Sequence, residues 1–185
     1  MAVNYDKLVR IYQDNCRRIA KANTIIANET FVEKTTRIKS LEAHYLGWFA
    51  YYFKDYAKCE SADFHNKIAD LLIKNQVVKL LFDAFRGSAK SVHTMLGIPL
   101  YLALVKKDLK FMLLIGLNEE KAIRLLSDIQ AQLKHNARIL NDYGEQFTQG
   151  DWSQGNFTTR DGVHFHALGF GQDPRGLRYG EHRPD

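Results

Sequence analysis

The chain has little from which to build cross-links or metal clusters. Its 185 residues hold two cysteines, Cys16 and Cys59, far apart and without CxxC spacing. That argues against a disulfide framework and leaves two reduced core thiols as the expectation. Long hydrophobic runs are also missing. The longest, 95–105, is too short for a bilayer and contains Pro99. The opening residues, MAVNYDKLVRIYQDN, lack the apolar centre of a signal peptide. An intracellular protein without a membrane partner is therefore expected. Charge of one sign is not in strong excess: 26 Lys+Arg face 21 Asp+Glu, a net of +5 with no dense basic tail. Such a balance tolerates a polyanionic partner but does not require one. Repeats and low-complexity stretches are absent. No linker rich in Pro, Gly or Ser precedes residue 144.

What is present is the make-up of an ordinary globular domain, 45% apolar and 25% charged, on a chain long enough for a real core. Leu8, Ile11, Tyr12, Cys16 and Ile19 recur at three- and four-residue steps and predict a helix over 4–21. Residues 30–58 read as mostly helical and carry Tyr45, Trp48, Phe49, Tyr51, Tyr52, Phe53 and Tyr56. Core packing is the favoured reading of that aromatic cluster, ahead of ligand stacking. A further helix is predicted over 63–74 (DFHNKIADLLIK).

Beyond residue 75 the pattern changes. Residues 76–82 (QVVKLLF) have the length and composition of a buried strand. A loop of small and polar residues follows over 83–90, then a helix from Ser91 to about Lys106, kinked or broken at Pro99. A second strand is read at 109–116 (LKFMLLIG). Asn118 caps a helix running to about His135, with Ile123, Leu125, Leu126, Ile129 and Leu133 as its buried face. Asp161-Gly162, between 157–160 and 163–168, is a strong hairpin signal. The tail GFGQDPRGLRYGEHRPD is loop-like and basic. Strand, loop, helix, strand, helix is the start of an α/β fold with a parallel sheet.

The chemistry lies in Ala84-Phe85-Arg86-Gly87-Ser88-Ala89-Lys90-Ser91. It fits the Walker A pattern GxxxxGK[ST], with alanine at both glycine positions. A triphosphate carries about four negative charges, so its pocket needs many short donors. A tight loop of small residues turns successive amides inward, and the following helix adds its dipole. Lys90 then supplies a point charge for the β- and γ-phosphates, and the Ser91 hydroxyl a ligand for Mg²⁺. Alanine is tolerated where φ is negative. Arg86 reads either as a solvated loop arginine or as a charge facing the γ-phosphate. An ordinary strand–helix turn remains the competing reading of the whole loop.

These segments resemble the N-terminal portion of phage large terminase subunits. Trp48-Phe49-Ala50-Tyr51-Tyr52-Phe53 and Ala62-Asp63-Phe64-His65 resemble that family's aromatic, His-containing lead-in. Phe85 to Ser91 resembles its variant Walker A, with an arginine-glycine pair and a small residue before the lysine. Pro99-Leu100-Tyr101-Leu102 and Lys110-Phe111-Met112-Leu113-Leu114-Ile115 resemble the next helix and strand. Asp161-Gly162, Gly169-Phe170-Gly171-Gln172, Arg175-Gly176-Leu177-Arg178 and Arg183-Pro184-Asp185 resemble the hairpin and loop before Walker B. The resemblance covers 45–185.

It implies a three-layer α/β/α P-loop NTPase domain over 61–185, its mainly parallel sheet incomplete, behind a helical segment over 1–60. It implies ATP and Mg²⁺ as cofactors and Lys90 and Arg86 as catalytic groups. The complete protein would be an ATPase and nuclease in the bacterial host cytoplasm, encoded by phage or prophage. Double-stranded DNA, portal protein and small terminase subunit would be its partners, and it would form a homo-oligomer. In that family paired acids follow Arg-Pro-Asp. Here they would lie past Asp185, so this chain is expected to bind nucleotide without turnover. The same resemblance implies a gap between strands 76–82 and 109–116. Another P-loop NTPase, helicase-like or AAA-type, is the alternative enzyme. A structural or DNA-associated phage protein is the non-enzymatic one.

Other constellations are weaker. His164 and His166 share one strand face but show no third metal ligand. His93 lies one turn past the loop and reads as packing. Arg175, Arg178 and Arg183 read equally as phosphate contacts or as solvated loop. Asp83 and Asp185 form no visible acid–base pair.

Overall fold

The computed structural model describes residues 5–75 and 77–184. Residue 4, Gln76, Asp185 and the side chain of Leu8, on which parts of the sequence reading fall, lie outside the described residues. Helix α1 spans Tyr5–Ala22. Its stripe holds with Ile19 buried and Ile11, Tyr12 and Cys16 half-buried. Both cysteines are free, but only Cys16 is partly covered. Cys59 is exposed in the turn after the aromatic helix, a correction to the core-thiol expectation.

The 30–58 stretch is two helices, α2 (Phe31–Glu42) and α3 (Tyr45–Tyr52). Extended backbone at His44 separates them. A capping box, Thr30 with Glu33, starts α2. Tyr45, Trp48, Phe49, Tyr52 and Phe53 are all buried, as core packing requires. Their polar tips are satisfied as well. Trp48 Nε1 donates to Tyr143 Oη at 2.8 Å, and Tyr52 Oη donates to Asp142 at 2.7 Å. Arg37 bridges Glu29 and Asp142. Burial pushes the Asp142 carboxyl up, but bonds from Arg37 and Tyr52 outweigh it and hold the group below its usual range.

Helix α4 is Asp63–Lys74, as read from the sequence. Helix α5 runs without interruption over 90–106, through Pro99. It is π-helical at His93–Gly97 and again at Leu102–Lys106. Of the two outcomes expected at Pro99, a kink or a break, the helix is not broken: the wide turn at His93–Gly97 accommodates the proline. Strand β1 (Phe111–Gly116) leads to α6 (Glu119–His135), where Asn118 accepts from the Lys121 amide as the expected N-cap. A short α7, Ala137–Tyr143, follows its own cap, Asn136. Strands β2 (Trp152–Ser153), β3 (Asn156–Thr158) and β4 (His164–Gly169) complete the chain.

The sheet is mixed, in order β1-β4-β3-β2. β1 and β4 are parallel, from Phe111↔His164 to Gly116↔Gly169. The Asp161-Gly162 turn folds β3 back along β4, and β2 pairs antiparallel with β3. The structure is therefore α/β, but its sheet is not mainly parallel: hairpin chemistry supplies the antiparallel half. Helix α6 packs on β1 and β4 and buries Ile123, Leu126, Ile129 and Leu133.

One expected strand does not form. Among the described residues, 77–82 have no sheet pairing. Val77 and Leu81 are 92% and 95% exposed. A strand exists through its ladder, and an apolar run without a neighbouring edge stays an irregular extended segment. Among the described helices, none is long and apolar enough to cross a membrane.

Candidate functional site

The loop at 84–91 joins that extended segment to α5. Its conformation is set by a change of sign in φ. Gly87 lies at +88° and Ala89 at +54°, with Ser88 between them on the ordinary side. The Ser88 amide donates to the Phe85 carbonyl at 3.3 Å, which closes the loop as a tight turn; alternation of this kind is one ingredient of an anion-receptive nest. Ala84 keeps an ordinary φ, so alanine is unstrained at the first glycine position of the pattern. Ala89 occupies the second in the left-handed region, against the expectation of a negative φ.

Lys90 opens α5 and reaches back over the loop. Its Nζ donates to the Ala84 carbonyl at 2.7 Å and the Phe85 carbonyl at 3.3 Å. The ammonium is thus held above the loop by weak dipoles that an anion would displace. Thr94 Oγ1 donates to the Lys90 carbonyl at 2.8 Å, fastening the first turn of the helix. Arg86 is exposed and makes no hydrogen bond or ion pair among the described residues, so it is free to meet a ligand. Phe85 is exposed too, with its ring edge-on to Phe64.

Ser91 is exposed on the first turn of α5 and borders a small cavity of about 50 Å³ with Tyr56, Leu125 and Asp128. A hydroxyl oxygen without a protein partner suits Mg²⁺, which takes one or two protein ligands and completes its shell with phosphate and water. No group of three or more His, Cys, Asp or Glu residues among those described is arranged to hold a metal by itself. Burial pushes the Asp128 carboxyl up to about 6, against the lowering effect of Arg18. Asp128 also accepts from Asn15 at 2.6 Å.

Sequence reading quoted His65 only within the resembled family's His-containing lead-in and gave it no place at the loop. Its Nε2 lies 2.7 Å from the Ser88 carbonyl, directly under the loop. The signal was present: His65 sits three residues after Ala62, in the N3 position of a helix start, where a side chain turns back on backbone. His93 stacks on His65 at 4.1 Å and sits 2.9 Å from Tyr45 Oη. Burial, helped by His65, pushes its pKa down to about 4. His93 is buried, its ring packed among Tyr45, Phe49 and His65.

Other sequence candidates make no hydrogen bond to residues 84–91 among the described residues. His164 is buried, 3.0 Å from Thr158 Oγ1, and stacked on Tyr179. Burial lowers its pKa and that of His166. Arg175, Arg178 and Arg183 are exposed, and Arg175 pairs with Asp173. Asp83 is exposed, and Asp185 lies outside the described residues. No protein-family model, curated protein or solved structure matches this chain.

Proposed function

We propose that the chain is the ATP-binding portion of a phage DNA-packaging terminase large subunit, with the 84–91 loop as its phosphate cradle. One observation carries this reading: Lys90 begins a long helix and lies across a tight loop whose φ alternates at Gly87, Ser88 and Ala89. The Ser88 amide is spent on the Phe85 carbonyl at 3.3 Å, so the Ala89 amide, the start of α5 and the Lys90 ammonium are the donors offered to a polyphosphate. Lys90 binds the β- and γ-phosphates, Arg86 faces the γ-phosphate, and Ser91 holds Mg²⁺. Bound Mg²⁺ would neutralise phosphate charge. The loop residues would hold and orient the nucleotide.

The sheet supports the same reading. A cleft of about 560 Å³ lies between Val78 and β1, lined by Leu72, Ile73, Val78, Ile98, Leu102 and Met112. It contains no residue of the phosphate loop. The resembled ATPases place further strands between these two segments, and the cleft has the apolar lining such strands need. Residues 77–82 have no sheet partner among the described residues, and the exposed Val77 and Leu81 side chains make the chain prone to association. DNA, portal protein and small terminase subunit are proposed partners of the complete ATPase and nuclease in the bacterial cytoplasm.

The test is calorimetric titration of the chain with ATP and Mg²⁺. Lys90→Ala should weaken binding at least tenfold, the size of one charge-assisted contact. Unchanged affinity would refute the site.

A further inference from the structure

Ser88 is the pivot of the loop: it lies between two residues of positive φ, and its side chain is buried with an unpartnered Oγ. A non-glycine residue such as Ala89 stays in the left-handed region only when its surroundings over-determine it. The surroundings here come from α4, twenty-three residues earlier in the chain.

His65 makes two bonds that together define its state. Its Nδ1 lies 3.0 Å from the Ala62 amide, which can only donate. Nδ1 is therefore the acceptor, and the neutral ring carries its proton on Nε2. Nε2 faces the Ser88 carbonyl, which can only accept, at 2.7 Å. The ring is buried and clamped on His93, whose own ring lies against Phe49 at 4.3 Å. In a trans peptide the carbonyl and the following N–H point in opposite directions. Holding the Ser88 carbonyl against α4 therefore aims the Ala89 N–H away from α4, to the open side of the loop.

We propose that His65 is a positioning residue of the phosphate loop: it fixes the Ser88–Ala89 peptide so that the Ala89 amide donates to bound phosphate. The proposal rests on the phosphate-binding reading above. It also explains how alanine can stand at φ +54° without glycine's freedom.

The experiment compares His65→Gln and His65→Asn in the full chain, by titration with ATP·Mg²⁺ and with adenosine. A glutamine amide reaches about as far as Nε2 and keeps the bond to Ser88, whereas asparagine reaches only about as far as Nδ1. His65→Asn should lose about tenfold in ATP affinity and His65→Gln less than about threefold. Adenosine affinity should be unchanged in both. Nitrogen-15 NMR of the unsubstituted chain should show His65 protonated on Nε2 alone. ATP binding by His65→Asn equal to wild type, while Lys90→Ala still weakens it, overturns this inference and leaves the phosphate site standing. So does an Nδ1-protonated ring, or equal losses in the Gln and Asn variants matched by equal losses in melting temperature. Wild type that binds ATP no better than Lys90→Ala overturns both.

Discussion

The two alanines of the loop should respond to glycine with opposite signs. Ala89 lies at φ +54° and Ala84 does not have a positive φ. The left-handed region costs an L-residue roughly 1–2 kcal/mol, a cost glycine escapes. Glycine in turn adds freedom to the unfolded chain, worth roughly 0.4–1 kcal/mol against folding. At residue 89 the first effect wins, and Ala89→Gly should stabilise by up to roughly 1.6 kcal/mol. At residue 84 only the second operates, and Ala84→Gly should destabilise by about 0.4–1 kcal/mol. For a domain of this size each kilocalorie is roughly 2–4 °C in Tm. Urea titrations without nucleotide, followed by circular dichroism, would read both changes as shifts of midpoint at constant slope. Shifts of the same sign, or a loss of stability in Ala89→Gly, would refute the loop conformation on which the site depends.

Stability should also depend on pH through His93. Its folded pKa of about 4 lies below the free value of 6.5, so the unfolded chain binds the extra proton between them. Stability from this group is complete above pH 6.5. It falls by roughly 1.4 kcal/mol per pH unit toward pH 4, and a His93→Gln variant measured over the same range should lose that slope. Trp48→Ala should cost about 3–5 kcal/mol, because it empties a fully buried site and strips Tyr143 Oη of its donor; denaturation midpoints check this. Leu81→Glu should reduce self-association in sedimentation experiments and leave stability within about 0.5 kcal/mol, since that side chain is exposed. Ser91→Ala should abolish most of the Mg²⁺ dependence of ATP binding and alter Mg²⁺-free binding little. Equal losses in both conditions would remove Ser91 as the metal ligand.

Local signals in the sequence determined what depends on neighbours in the chain. The caps at Thr30 and Asn118, the bounds of α4, the buried stripe of α6 and the Asp161-Gly162 hairpin follow from periodicity and from hydrogen bonds spanning a few residues. The small-residue loop before Lys90 was legible for the same reason. Tertiary structure decided the rest. Residues 77–82 have every local property of a strand and form none, because a ladder needs an edge that no nearby residue supplies. The parallel pairing of β1 with β4 joins segments separated by two helices and a hairpin, so no local pattern encodes it. Helix α5 passes through Pro99 because packing sustains a π-turn that propensity opposes. The positive φ of Ala89 and the hydrogen bond from His65 to Ser88 belong together. A conformation that alanine disfavours by itself is held by a side chain from another helix, and only folding brings the two within reach.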